Sequence, residues 1–219
     1  MRTIKDPAER KTEILDCAEN LFTTKGYMQT TINDVLNELS IAKGTFYHYF
    51  KSKEQLMEAV VMRFVAQGAA SAKAVADDPK LTAVEKMRKI IVGTAPDNKH
   101  KDLAIEQMHQ AGSAEMHQKS LVETVRQCSP ILAEIVQQGI KEGSFTTEHP
   151  YETVEFLLAG SEFWLDEGIF HWSEKELMIR AKVFSKILET LLQAQPGTFD
   201  FIYTRFEEII RNKQIAENE

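Results

Sequence analysis

The sequence lacks the marks of a membrane protein, a secreted scaffold or a common enzyme. No apolar run approaches the roughly 18 residues that a membrane span requires, so no membrane partner is expected. The segment MRTIKDPAERK carries no apolar stretch of the signal-peptide kind. The only two cysteines, Cys17 and Cys128, form no metal-ligand spacing and are expected to be reduced and partly buried. No nucleophile elbow, phosphate-binding loop or zinc signature occurs. His109 and His117 are too far apart for a tight metal pair, and only Glu115 lies between them as a further ligand type. These absences lead to an expectation of a cytoplasmic protein with no catalytic residues, no metal and no cofactor.

What remains is a composition suited to a packed globule, with 43% hydrophobic and 27% charged residues. A length of 219 residues suffices for one large domain or two small ones. The charge is uneven. Eight Lys/Arg balance eight Asp/Glu within residues 1–55, so the net charge of −7 lies wholly beyond that point. An acidic body repels DNA, which carries about one negative charge per 1.7 Å of axis. A neutral front end can still bind it if its bases gather on one face. The asymmetry predicts two units with different partners, residues 1–54 and 55–219.

Helical periodicity runs throughout and no segment reads as a strand, so the fold class is all-α. Ile14, Leu15, Ala18, Leu21 and Phe22 form the buried stripe of a first helix over 8–25. Gly26 closes that helix, and Tyr27 and Met28 are expected to lead the chain back under it. Thr31 is the N-cap of a second helix, with Asp34 three residues on and Ile32, Val35, Leu36 and Leu39 facing inward. Ser40 and Ile41 make a turn. A third helix, from Lys43 to about Phe50, is barely two turns long and must be held by packing. Phe46 and Phe50 are its anchors, and Tyr47 and His48 point outward. A fourth helix follows Ser52 and runs to about Asp77. Beyond it, helices are predicted over 81–93, 99–111, 114–142, 150–169, 174–194 and 198–213. Pro130 is expected to kink the long one or to split it at Cys128-Ser129. The last is amphipathic through Phe199, Ile202, Phe206, Ile209 and Ile210, and its role is open.

Thr31, Val35, Ile41 and the run KGTFYHYFKSKE from Lys43 to Glu54 resemble the helix-turn-helix of the TetR family of transcriptional regulators. The match covers about 50 residues and agrees in residue type, order and spacing. Two positions depart from the family pattern. Ser40 stands where the turn usually has Gly, and Ala42 where the recognition helix usually has a Ser/Thr cap. The resemblance implies a homodimeric regulator, most often a repressor, released from a palindromic double-stranded DNA operator by a small-molecule effector. In such a motif the first residues of the second helix meet base edges. These are Lys43, Gly44 and Thr45, where Gly44 permits close approach and Thr45 offers a hydroxyl and a methyl. The resemblance carries phosphate and base contacts to Tyr47, His48 and Tyr49, and a phosphate contact to Lys53 at the start of the fourth helix. Thr31 and Asn33 hold the backbone on the other side, with Arg10 and Lys11 as further phosphate contacts.

Two seams of the coiled-coil type mark the later helices: Val154, Leu158, Ser161, Leu165 and Leu177, Ala181, Phe184, Leu188, Leu191. The resemblance implies that this helix pair joins its symmetry mate in a four-helix bundle. It also implies a ligand pocket among the middle helices, for which Met87, Met108, Met116, Phe145, Phe156, Phe163 and Trp164 are candidate lining residues. Glu106, Glu155 and Glu162 are the groups that would meet a cationic ligand. The competing reading is a helical ligand-binding or adaptor protein whose helix-turn-helix does not bind DNA.

Overall fold

The computed structural model describes residues 6–93 and 114–216. Ten helices and no strand occur among them: α1 Pro7–Thr24, α2 Ile32–Glu38, α3 Lys43–Tyr49, α4 Lys53–Ala76, α5 Ala83–Val92, α6 Ala114–Glu142, α7 Pro150–Trp164, α8 Glu167–Phe170, α9 Glu174–Leu191 and α10 Phe201–Ala216. The helix expected over 99–111 lies outside the described residues. No described helix is long and apolar enough to cross a membrane.

The chain forms two compact units. The first runs to Gln67 and takes in the start of α6 up to Ser120; the second holds the chain from Gly68, with α6 from Leu121 onward. The boundary expected at 54/55 therefore falls inside the first turn of a continuous helix, α4. The charge balance of the sequence changes at that point, and a helix passes through it without a break.

In the first unit, Asp6 caps α1 by accepting from the Ala8 N–H at 2.8 Å, with Pro7 at the first helical position. Ile14, Ala18 and Phe22 of α1 are fully buried with Val35, Phe46, Phe50, Leu56, Met57 and Val60. Gly26 takes φ 89° and turns the chain, after which Tyr27 packs its ring edge-on to Phe22 at 5.3 Å. Met28, expected beneath the helix as well, is 61% exposed. One aromatic fills the space under α1, and its neighbour points to solvent. Arg63 of α4 pairs with Asp16 at 2.6 Å and with Glu19, clasping α4 to α1.

In the second unit α6 runs unbroken through Pro130. The expected split does not occur. A proline removes a single backbone donor, Pro130 itself faces solvent, and the next turns bury Leu132, Ala133, Ile135 and Val136. That packing outweighs one lost hydrogen bond. The helix predicted over 150–169 instead breaks after Trp164, and Asp166 accepts from the Ile169 N–H to start α8. Gly139 is required by packing, because a Cβ there would overlap the Phe145 ring. Phe145 in turn stacks on Phe199 at 5.8 Å. Lys86 is buried, its ammonium donating to the Ala76 carbonyl at 2.6 Å and to Gln138 Oε1 at 2.7 Å. Glu189, also buried, accepts from the Gly197 N–H at 2.7 Å and holds the loop before α10.

Candidate nucleic-acid interface

Thr31 opens α2 with a reciprocal cap. Its hydroxyl accepts from the Asp34 N–H, and the Asp34 carboxylate accepts from the Thr31 N–H at 2.7 Å. The Lys25 ammonium reaches the same carboxylate at 2.7 Å. That ion-paired hydrogen bond, with the Thr31 amide and hydroxyl, lowers the Asp34 pKa to about 2. Lys25 went unnoticed in the sequence because it closes a different helix. Its only clue was a lone base just before Gly26.

The turn that follows is a Schellman motif. Ser40 N–H donates to the Asn37 carbonyl at 3.1 Å and Ile41 N–H to the Leu36 carbonyl at 3.0 Å. This requires a left-handed residue at position 40, and Ser40 takes φ 51°. The conformation normally supplied by glycine is thus kept at a steric cost of about 1–2 kcal/mol. Ala42 then starts α3 with no side-chain cap. Both departures from the family pattern are therefore physical ones.

Packing divides the aromatics of α3. Phe46 is 0% exposed and lies 6.0 Å from the buried Phe50 ring. Tyr47 is 37% exposed and His48 is exposed, whereas Tyr49 is half-buried with its ring 4.9 Å from that of His48. Lys43, Gly44 and Asn33 are exposed and Thr45 is half-buried. The Lys43 ammonium sits 5.8 Å from the Tyr47 ring centre, a favourable cation–π placement. A Cβ built on Gly44 would meet nothing within 4 Å, so the chain's own packing does not call for glycine there. Lys11 is exposed, while Arg10 is tied to Glu13 at 2.8 Å.

Lys53 is half-buried rather than free. Its ammonium donates to the Tyr27 and Thr30 carbonyls, both at 3.0 Å, and lies 4.3 Å from the Tyr27 ring centre. Two of its three protons are engaged inside the chain.

Of the described candidate pocket residues, Met87, Phe145 and Trp164 gather in one cluster and Met116 belongs to another. Met116 is buried in the core of the first unit, whereas Met87 and Phe145 are buried in that of the second and Trp164 packs against it. Phe156 and Phe163 are 69% and 52% exposed. Glu155 is exposed and Glu162 half-buried. Met108, Glu106 and His109 lie outside the described residues.

The two seams are only partly covered within a single chain. Val154, Phe184 and Leu188 are buried in the second unit's core, Leu177 and Ala181 are also buried, Leu158, Ser161 and Leu165 are half-buried, and Leu191 is exposed. A spacing of three and four residues identifies a stripe that something buries, without saying what. Besides Leu191, the apolar side chains these two helices leave in solvent include Phe156 and Phe163 on α7 and Ile179 and Val183 on α9.

Comparison with known proteins agrees with this architecture. Residues 14–60 match the family described as bacterial regulatory proteins, tetR family, and residues 98–187 match the tetracyclin repressor-like C-terminal domain. The HTH-type transcriptional repressor KstR2 of Mycolicibacterium smegmatis is 29% identical over 146 residues, covering 65% of this chain and 71% of that protein. Among solved structures, GusR of Salmonella enterica has a TM-score of 0.60 at 16% identity, over 87% of this chain and 99% of that one. SmeT, the repressor of the Stenotrophomonas maltophilia multidrug efflux pump SmeDEF, has a TM-score of 0.57 at 20% identity, over 86% and 92% of the two chains.

Proposed function

The chain belongs to the TetR family of transcriptional regulators, and on that premise we propose that it is a homodimeric repressor released from a palindromic operator by a small-molecule effector in the cytoplasm. As a family member it is a DNA-binding regulator and not an enzyme. Each α3 enters a major groove, and the two-fold axis places its copy about 34 Å away in the next one. Lys43, Gly44 and Thr45 meet base edges. Tyr47 and His48 reach bases and phosphates, and Thr31 and Asn33 hold the backbone at the start of α2. Tyr49 stands at the edge of this surface.

The observation that carries the reading is Gly44. Glycine weakens a helix by roughly 0.5–1 kcal/mol relative to alanine, α3 is only seven residues long, and no neighbour in the chain crowds position 44. An approaching groove supplies the missing reason. The exposed Phe156, Phe163, Ile179 and Val183 support a partner copy across α7 and α9, since these apolar side chains lack cover in one chain.

Effector release is a linkage: the effector must bind the DNA-incompetent dimer more tightly, and DNA must weaken the effector to the same degree. The chemical class of the effector is open. Fluorescence anisotropy against the promoter beside the coding sequence, over a range of salt, tests the DNA-binding core. Gly44→Ala should melt no lower than the parent yet bind the operator more weakly. A Gly44→Ala protein that keeps full affinity, or a parent with no salt-dependent binding, would falsify the reading.

A further inference from the structure

Lys53 stands at the first residue of α4, where a cation and helix-end amides together suit a phosphate. Its actual partners are internal. The ammonium donates to the carbonyls of Tyr27 and Thr30 at 3.0 Å each, over the Tyr27 ring. Those carbonyls belong to the loop that ends at Thr31, the cap of α2. Within the loop itself, Thr30 N–H donates to the Gly26 carbonyl at 3.1 Å, the Thr30 hydroxyl donates to the same carbonyl at 2.7 Å, and the Tyr27 ring packs on Phe22. Lys25 holds Asp34 from the far side. The start of α2 is therefore held from two sides: Lys25 at the end of α1 takes Asp34 in its first turn, and Lys53 at the start of α4 takes the carbonyls of the loop that leads into its cap.

We propose that Lys53 is a positioning residue: by gripping the Tyr27 and Thr30 carbonyls it sets the first turn of α2 against the start of α4, and so governs operator affinity through Thr31 and Asn33 rather than by its own contact with phosphate. A cation hydrogen-bonded to two carbonyls at once defines both distance and direction, which a solvated surface lysine does not. Because α4 begins at Lys53, any shift of that end of the helix moves the cap of α2 with it.

The proposal rests on the DNA-binding reading, and one set of variants separates the two. Lys53→Met removes the ammonium, and Lys53→Gln is neutral yet keeps an N–H donor. A phosphate ligand and a positioning residue differ in salt dependence. Losing a phosphate contact lowers the slope of log affinity against log salt by about one per subunit. Losing a positioning contact leaves that slope at the parent value while affinity falls about tenfold or more. Lys53→Gln should recover part of the affinity, since it can still donate.

Amide hydrogen exchange on the free full-length protein is the second readout. Exchange at Thr31, Asn33 and Asp34 should quicken in Lys53→Met and return toward the parent rate in Lys53→Gln. This measurement needs no DNA, so a parent that ignores DNA would overturn the function without touching the grip on α2. A slope lowered by about one per subunit overturns the proposal, as does Lys53→Gln matching Lys53→Met in both readouts, or exchange at α2 that does not change.

Discussion

The two compact units are built from the same kind of helix but close their cores in different ways. The first is assembled almost entirely from neighbours in sequence: α1, α2, α3 and the start of α4 share one core in which Phe22, Phe46 and Phe50 meet. The second gathers Met87, Phe145, Val154, Phe184 and Phe199 from five separate stretches. Local closure ties each residue's role to its place in a short motif. Distant closure leaves a stripe on each helix whose partner is decided only in three dimensions. One unit thus leaves in solvent what its short helix cannot bury, and the other draws part of each seam into its core.

The largest effects should come from the aromatic anchors. Phe46→Ala and Phe145→Ala should each cost about 3–5 kcal/mol, as large-to-small changes at fully buried sites do, and denaturant unfolding will measure both. Only Phe46→Ala should abolish operator binding at temperatures where the second unit stays folded, which circular dichroism and anisotropy together can follow. Equal loss of binding from both variants would break the division between the units. Next in size, Lys86→Met should destabilise the second unit by about 1–3 kcal/mol, because the Ala76 carbonyl and Gln138 lose their buried donor. Operator affinity just below the melting range should be unchanged.

Gains are expected at the turn of the first unit. Ala42→Ser should supply the missing cap of α3 and add about 0.5–2 kcal/mol. Ser40→Gly should relieve the left-handed strain and add about 1 kcal/mol. Both should raise the melting temperature and tighten operator binding, since the reader helix is then set before it meets DNA. A rise in stability with no change in affinity would show the turn to be rigid already.

The smallest effect is one of pH. The Asp34 carboxyl is held at about 2 by Lys25 and Thr31, below its ordinary value. The cap on α2 is therefore intact above pH 4 or so, the usual carboxylate range, and weakens as pH falls toward 2. Asp34→Asn should remove that acid-side loss, read by melting scans between those limits. An unchanged acid limb would mean that other carboxylates dominate.

Much of the first unit was legible in advance because its signals are local. Thr31 caps where a threonine three residues before an aspartate should, and Phe46 and Phe50 bury because a two-turn helix needs anchors. The same logic failed for Met28, since alternation across a tight turn depends on how far the chain rotates at Gly26. It also missed Lys25 and misjudged the surroundings of Lys53, because their partners lie on other elements. In the second unit the helices were legible by period, yet Phe156 and Phe163, expected to line a pocket, face solvent. Met116, also a candidate lining residue, is buried in the first unit's core, because the start of α6 belongs to that unit.

The sequence by itself determined that this chain is all helix, that its front end carries a helix-turn-helix, and which aromatics of α3 anchor and which are free. Each of these follows from spacing within a few turns, where backbone geometry leaves few choices. Tertiary structure alone decided that most of the α9 seam is buried while the α7 seam is mostly half-buried, that Pro130 sits inside an unbroken helix, and that Lys53 grips a loop more than twenty residues away in sequence. Those outcomes depend on which distant surfaces meet, and periodicity along one helix carries no record of what lies across from it.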